Sequence, residues 1–184
     1  MYDEKFSIGV VSMKTEYLLN REVEQVLALL MPLNRLVLRV SLHTGLRISD
    51  VLSLKTEQLS SRFWVTESKT GKKKFVGLPR DLLEDLKKVA GKIYVFESRT
   101  DPKKHRSRQA VWADLKRAAR AFRLPQNVAP HSFRKVYAVD LMEKYGDIKK
   151  VKKALNHRYE STTLIYAMAD AALRAKFKKR RNRA

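Results

Sequence analysis

The chain has 184 residues, with 40 Lys+Arg against 19 Asp+Glu and no Cys. A length near the usual ~100–200 residues per domain sets an expectation of one domain, and the 44% apolar share is that of a folded chain rather than a disordered tract. The lack of cysteine excludes disulfide scaffolds, thiolate metal sites and cysteine nucleophiles and is compatible with a reducing compartment, while a formal charge of +21 calls for a polyanionic partner, nucleic acid before a membrane surface or ribosomal RNA.

Residues 1–14 read as an irregular lead-in, 15–173 as a single domain and 174–184 as a basic tail. The longest apolar run, residues 26–33, is far short of the ~20 residues that cross a bilayer. The mixed charges Asp3, Glu4, Lys5 and Lys14 do not have the pattern of a secretory leader. Asn20 is expected to cap a helix over Arg21–Met31, with Val23, Val26, Leu27 and Leu30 on one face. Pro32 interrupts it. A second helix, Leu33–His43, ends at Gly45, the usual left-handed residue after a helix. A short helix starting at Arg47 or Ser49 carries Val51, Leu52 and Leu54.

The period then changes from helical to alternating. Phe63–Thr66 and Lys74–Leu78 are strand-like runs joined by a Gly-containing basic turn, the pattern of a β-hairpin. Pro79 opens a helix to about Ala90. Ile93–Phe96 is a candidate third strand. Helical patterning returns at Arg108–Phe122, Ser132–Lys144 and Asp147–Leu155, and again from Ser161 into the tail. The sum is a mostly helical α+β domain with a small antiparallel sheet.

Four places have the chemistry to engage a phosphate. In Thr44-Gly45-Leu46-Arg47-Ile48-Ser49-Asp50, Arg47 opens a helix and can present a planar fork to two phosphate oxygens. Asp50, one turn on, is placed to hold its neighbours. Lys69 lies in the hairpin turn, where it can reach into a groove. His131 and Arg134, three apart at a helix start, share one face. His157 is followed nine residues later by Tyr166. Taken singly, each has an ordinary alternative. Arg47 pairs with Asp50 as readily as with a phosphate, Lys72, Lys73 and Lys74 rival Lys69, and His131 can be a capping histidine. Tyr137, Tyr145 and Tyr159 compete with Tyr166, but the first two precede His157 and the third lies only two residues past it. Trp64 and Trp112 read as core or half-buried anchors.

Together and in this order, Arg47, Lys69, His131-x-x-Arg134, His157 and Tyr166 resemble the catalytic domain of the tyrosine recombinases, the phage integrase family. The resemblance covers about residues 15–170 and rests on HTGLRISDVLSL, SKTGKKKFVGLP, HSFRKVYAVDLM and VKKALNHRYESTTLIYA. Asn156 stands where the family usually has Gly, Gly77 where Pro is common, and Val136 where Thr is frequent.

The resemblance implies that Tyr166 attacks a DNA phosphate to form a 3′-phosphotyrosyl link. Arg47, Arg134 and His157 would bind the non-bridging oxygens, His131 would take the tyrosine proton and Lys69 would protonate the departing 5′-oxygen. It implies no metal, no ATP and no other cofactor. The partners would be double-stranded DNA and three further copies of the chain, with a monomer in free solution and no membrane association. The place of action would be the cytoplasm, on nucleoid DNA. Lys72, Lys73 and Lys74, with Lys178, Lys179, Arg180 and Arg181 of the tail, are candidate backbone contacts. A type IB topoisomerase is the alternative enzyme, disfavoured by His131, and a non-catalytic basic DNA-binding protein is the alternative of another class. Relatives usually carry a helical DNA-binding domain ahead of this one, which residues 1–14 are too short to form, so the chain alone is expected to bind DNA weakly.

Overall fold

The computed structural model describes residues 18–124 and 127–155. The expected lead-in, the helix from Ser161 and the basic tail lie outside them. Helix α1 (Asn20–Leu29) is capped by Leu19 rather than Asn20, and the Glu22 carboxylate accepts the Leu19 N–H at 2.7 Å. That acidic side chain satisfies one of the open amides of the first turn, so Asn20 enters the helix instead of capping it. Pro32 does more than interrupt. It is the first residue of α2 (Pro32–Thr44), where its missing N–H and fixed φ suit a helix start.

Helix α2 closes on Gly45 at φ 63°. A Cβ there would run into the Tyr137 ring, so this glycine serves both the left-handed turn and the close approach of another helix. The short α3 (Ile48–Leu52) follows, with Arg47 at its N-cap. Strands β1 (Arg62–Thr66) and β2 (Lys73–Gly77) pair antiparallel, with Trp64 opposite Phe75 and Val65 opposite Lys74.

The expected third strand is not formed. Tyr94 makes one isolated bridge to Lys55, and the Val95 N–H donates to Leu54 O at 2.9 Å. This segment pairs with the stretch after α3 because Val95 and Phe96 are drawn fully into the core there. Helix α4 (Arg80–Val89) begins behind Pro79. Helix α5 (Arg108–Ala121) is capped by the Ser107 hydroxyl, which accepts the Ala110 N–H at 3.1 Å. Helix α6 (Pro130–Tyr145) starts two residues ahead of expectation, which puts His131 inside its first turn, and it ends at Gly146 with φ 62°. Helix α7 (Ile148–Leu155) completes the described residues.

Helix α2 packs against α3, α4 and α6, and it is the centre of the domain. Its Val37, Leu38 and Val40 are fully buried in one apolar cluster with Leu82 and Leu86 of α4, Leu115 of α5 and Phe133 of α6. A smaller cluster of Ala138, Val139, Val151 and Leu155 joins α7 to α6. The hairpin contributes alternate residues, Phe63, Val65 and Val76, to the main core. Its other face leaves Trp64 59% and Phe75 53% exposed, their ring centroids 5.1 Å apart. Neither tryptophan is a core anchor: Trp64 is more exposed than buried, and Trp112, half exposed, has the half-buried setting that was the other expectation. Each tryptophan sits on the solvent side of an element whose other side is already filled. The architecture is α+β, mostly helical with one antiparallel hairpin. No helix among the described residues is long and apolar enough to cross a membrane.

Candidate active site

The last carbonyls of a helix lack intrahelical partners and form the negative end of its dipole. At the end of α2 two cations meet them. Lys74 Nζ donates to Thr44 O at 2.6 Å, and Arg134 Nη1 donates to Gly45 O. Arg134 Nη2 donates to Leu155 O, at the end of α7, at 2.8 Å. Only 1% of the Arg134 side chain is exposed. The guanidinium thus ties three helices together and also lines a cleft.

Arg47 reaches the same place from the N-cap of α3. Its Nη1 lies 3.1 Å from Glu67 Oε2, and Glu67 Oε1 is 3.9 Å from Arg134 Nη1. Glu67 is fully buried. It continues the inward alternation Phe63, Val65 one step beyond β1, so the hairpin itself carries a carboxylate in beneath both arginines. Asp50, also fully buried, accepts the Ser68 N–H at 2.9 Å and the Ser68 hydroxyl at 2.6 Å with one oxygen.

Arg47, Ser49, Lys69, Arg108, His131 and Arg134 line one cleft of about 190 Å³. The cleft wall carries cations, and the carboxylates Asp50 and Glu67 lie behind it. Such an arrangement is suited to an anion with charge on more than one oxygen. Arg47, Lys69, His131 and Arg134 are thus brought together from three separate segments, the α3 cap, the hairpin turn and the start of α6. His157, Tyr166 and Tyr159, and Lys178, Lys179, Arg180 and Arg181, lie outside the described residues. A larger hollow of about 730 Å³ beside the start of α5 gathers none of the expected catalytic side chains.

One sequence expectation is corrected. Lys72 and Lys73 are exposed around the hairpin turn, but Lys74 is only 8% exposed and is no surface contact for DNA. Strand alternation turns it inward beside Val76, where the Thr44 carbonyl receives its ammonium. Burial, and then the Arg134 charge, lower its pKa from 10.5 to about 8, partly offset by Glu67. Tyr137, a rival nucleophile by composition, packs against Gly45, and burial raises its pKa. One residue of the cleft wall and one behind it were not singled out from the sequence. Arg108 had one local signal, its place just after a capping serine, and Glu67 had the period-two pattern leading to it.

Residues 16–172 match the Phage integrase family. The tyrosine recombinase XerA of Pyrococcus furiosus is 31% identical over 147 residues, which make up 75% of this chain and 51% of that protein. The chain therefore spans about half the length of this relative. The fold is similar to the crystal structure of XerA recombinase, with a TM-score of 0.72 at 21% identity over 92% of this chain and 65% of that one. It is also similar to that of a lambda integrase tetramer bound to a Holliday junction, with a TM-score of 0.64 at 22% identity over 80% of this chain and 46% of that one.

Proposed function

The chain belongs to the phage integrase family, and on that premise we propose that it is a tyrosine-type site-specific DNA recombinase. The observation that supports this best is the meeting of Arg47, Lys69, His131 and Arg134 at one cleft, although they come from a helix cap, a hairpin turn and the first turn of α6.

In the proposed reaction the Tyr166 hydroxyl attacks a phosphodiester of double-stranded DNA. The Tyr166 Oη–P bond forms as the P–O5′ bond breaks. The tyrosine proton passes to His131, and Lys69 gives a proton to the leaving 5′-oxygen. Arg47 and Arg134, with His157, stabilise the charge that builds on the non-bridging oxygens. The phosphotyrosyl bond keeps the energy of the cut, so a different 5′-hydroxyl can displace the tyrosine without ATP. Two buried or half-buried guanidiniums supply the positive charge for which many phosphoryl-transfer enzymes use a metal. Arg108, Lys72 and Lys73 hold the flanking DNA backbone. The tail residues Lys178, Lys179, Arg180 and Arg181 add sequence-independent affinity. Four copies assembled on DNA, acting in the cytoplasm on nucleoid DNA, complete the proposal.

A nicked duplex carrying the repeats that flank the coding sequence tests this. Wild-type protein is expected to become covalently joined to the DNA, with the yield unchanged by EDTA, and Tyr166→Phe is expected to give no adduct. Absence of an adduct with wild type defeats the proposal. Plasmid relaxation without strand exchange points instead to a topoisomerase.

A further inference from the structure

We propose that Glu67 is a positioning residue of the reaction, which sets the place of Arg47 relative to the turn that carries Lys69. The proposal rests on the recombinase reading above for its consequence, but on this structure for its contacts. Glu67 Oε2 makes two of them at once. It lies 3.1 Å from Arg47 Nη1, and it accepts the Thr70 hydroxyl at 2.9 Å. Thr70 is the residue after Lys69. One oxygen atom thus joins the guanidinium meant for the non-bridging oxygens to the turn that carries the proton donor.

The backbone of Glu67 supports the same turn. Its carbonyl accepts the Gly71 N–H at 2.8 Å, and its N–H donates to Lys72 O at 2.9 Å. On the other side of Lys69, Ser68 is held by Asp50. The two carboxylates run in opposite senses, Glu67 from hairpin to α3 and Asp50 from α3 to hairpin. Lys69 sits between the two residues they grip.

The second Glu67 oxygen has a different setting. Oε1 is buried without a hydrogen-bond partner and lies 3.9 Å from Arg134 Nη1. It acts on Arg134 by charge alone. A fully buried carboxylate is costly unless cations surround it, and here Arg47, Arg134 and Lys74 do so. Glu67 is absent from the cleft wall, so its effect passes through the groups it holds. A shift of Arg47 by about 1 Å is enough to cost on the order of 100-fold in rate.

The test uses Glu67→Gln, which keeps the shape and removes the charge, and Glu67→Asp, which keeps the charge on a shorter arm. Far-UV circular dichroism and thermal melting check that both remain folded. The ¹⁵N spectrum of the Arg47 guanidinium, taken without DNA, is expected to show slowed rotation about its terminal C–N bonds in wild type and loss of that slowing in Glu67→Gln. Covalent adduct formation is then timed on two suicide duplexes, one with an ordinary scissile phosphate and one with a methylphosphonate. The methyl group removes the charge that the arginines must meet.

Glu67→Gln is expected to slow attack on the phosphate by about 100-fold. On the methylphosphonate the deficit is expected to shrink to a few-fold, with Glu67→Asp in between on the phosphate. Equal deficits on both substrates would mean that Glu67 is merely structural and would overturn the proposal, as would wild-type rates in Glu67→Gln. Wild type that joins neither duplex counts against the recombinase reading. In that case the guanidinium spectrum alone decides whether Glu67 holds Arg47.

Discussion

Arg134 and Arg47, two of the three arginines that line the cleft, both stand at helix starts, yet they are held in opposite ways. Arg134, in the first turn of α6, spends its terminal nitrogens on backbone carbonyls at the ends of α2 and α7. Arg47, at the cap of α3, is paired to a hairpin side chain. Their exposures follow, 1% for the first and 13% for the second. A group held by carbonyls of packed helices keeps its place as long as the core does. A group held by Glu67 keeps its place only as long as the hairpin does. The first arginine is therefore part of the fold as well as of the site, and the second belongs mainly to the site.

The sharpest way to break this contrast is to truncate each arginine. Arg134→Ala leaves Gly45 O and Leu155 O without their buried donor and is expected to cost about 3–5 kcal/mol in urea melts. Adduct formation should fall by about 10²–10³-fold or more. Arg134→Lys should not restore it, since one ammonium cannot reproduce a planar fork across two carbonyls. Arg47→Ala should match the loss of activity while costing only about 1–3 kcal/mol. Equal losses of stability would erase the distinction.

Lys74 sharpens the Arg134 side of the comparison, because its ammonium lies on the adjacent carbonyl of α2. Its folded pKa is about 8 against 10.5 for the ordinary group. The cost of burying the charge is present in full below about pH 8. Between about pH 8 and 10.5 the unfolded chain binds more protons than the folded one, so this group's contribution to stability rises with pH. Urea melts across that window should show wild type gaining on Lys74→Met. A constant difference would mean that neither burial nor the Arg134 charge disfavours the ammonium.

The smallest effect belongs to the outer face of the same hairpin. Trp64→Ala removes an exposed cross-strand pair with Phe75 and should cost about 0.2–1 kcal/mol. Adduct formation should be unchanged. A large loss of activity would mean that the outer face carries part of the site, contrary to the inward alternation that separates Glu67 and Lys74 from it.

Much of this was legible in the chain because it is local. Gly45 after an apolar helical stripe, the basic turn between two alternating runs, and the i, i+3 pair His131 and Arg134 are each set by neighbours within one or two turns. What escaped was set by partners far away. The Ile93–Phe96 run has strand composition, but Leu54 and Thr56 offered its backbone a partner before the hairpin did. Lys74 looked like one more surface lysine in Lys72-Lys73-Lys74, because composition does not say which residue of an alternating run faces in. Trp64 was read as a core or half-buried anchor, and the same alternation turned it outward.

The sequence by itself determined most of the helices, the β-hairpin, the cation-rich character and the order of the candidate site residues, since these depend on period, caps and charge. Only the tertiary structure decided that Glu67 underlies both arginines, that Arg108 joins their cleft and that Arg134 is bound by the ends of two helices. Those contacts join residues as far as 89 positions apart, and such pairings arise only when the apolar faces of α2, α6 and the hairpin pack and bring their polar ends together.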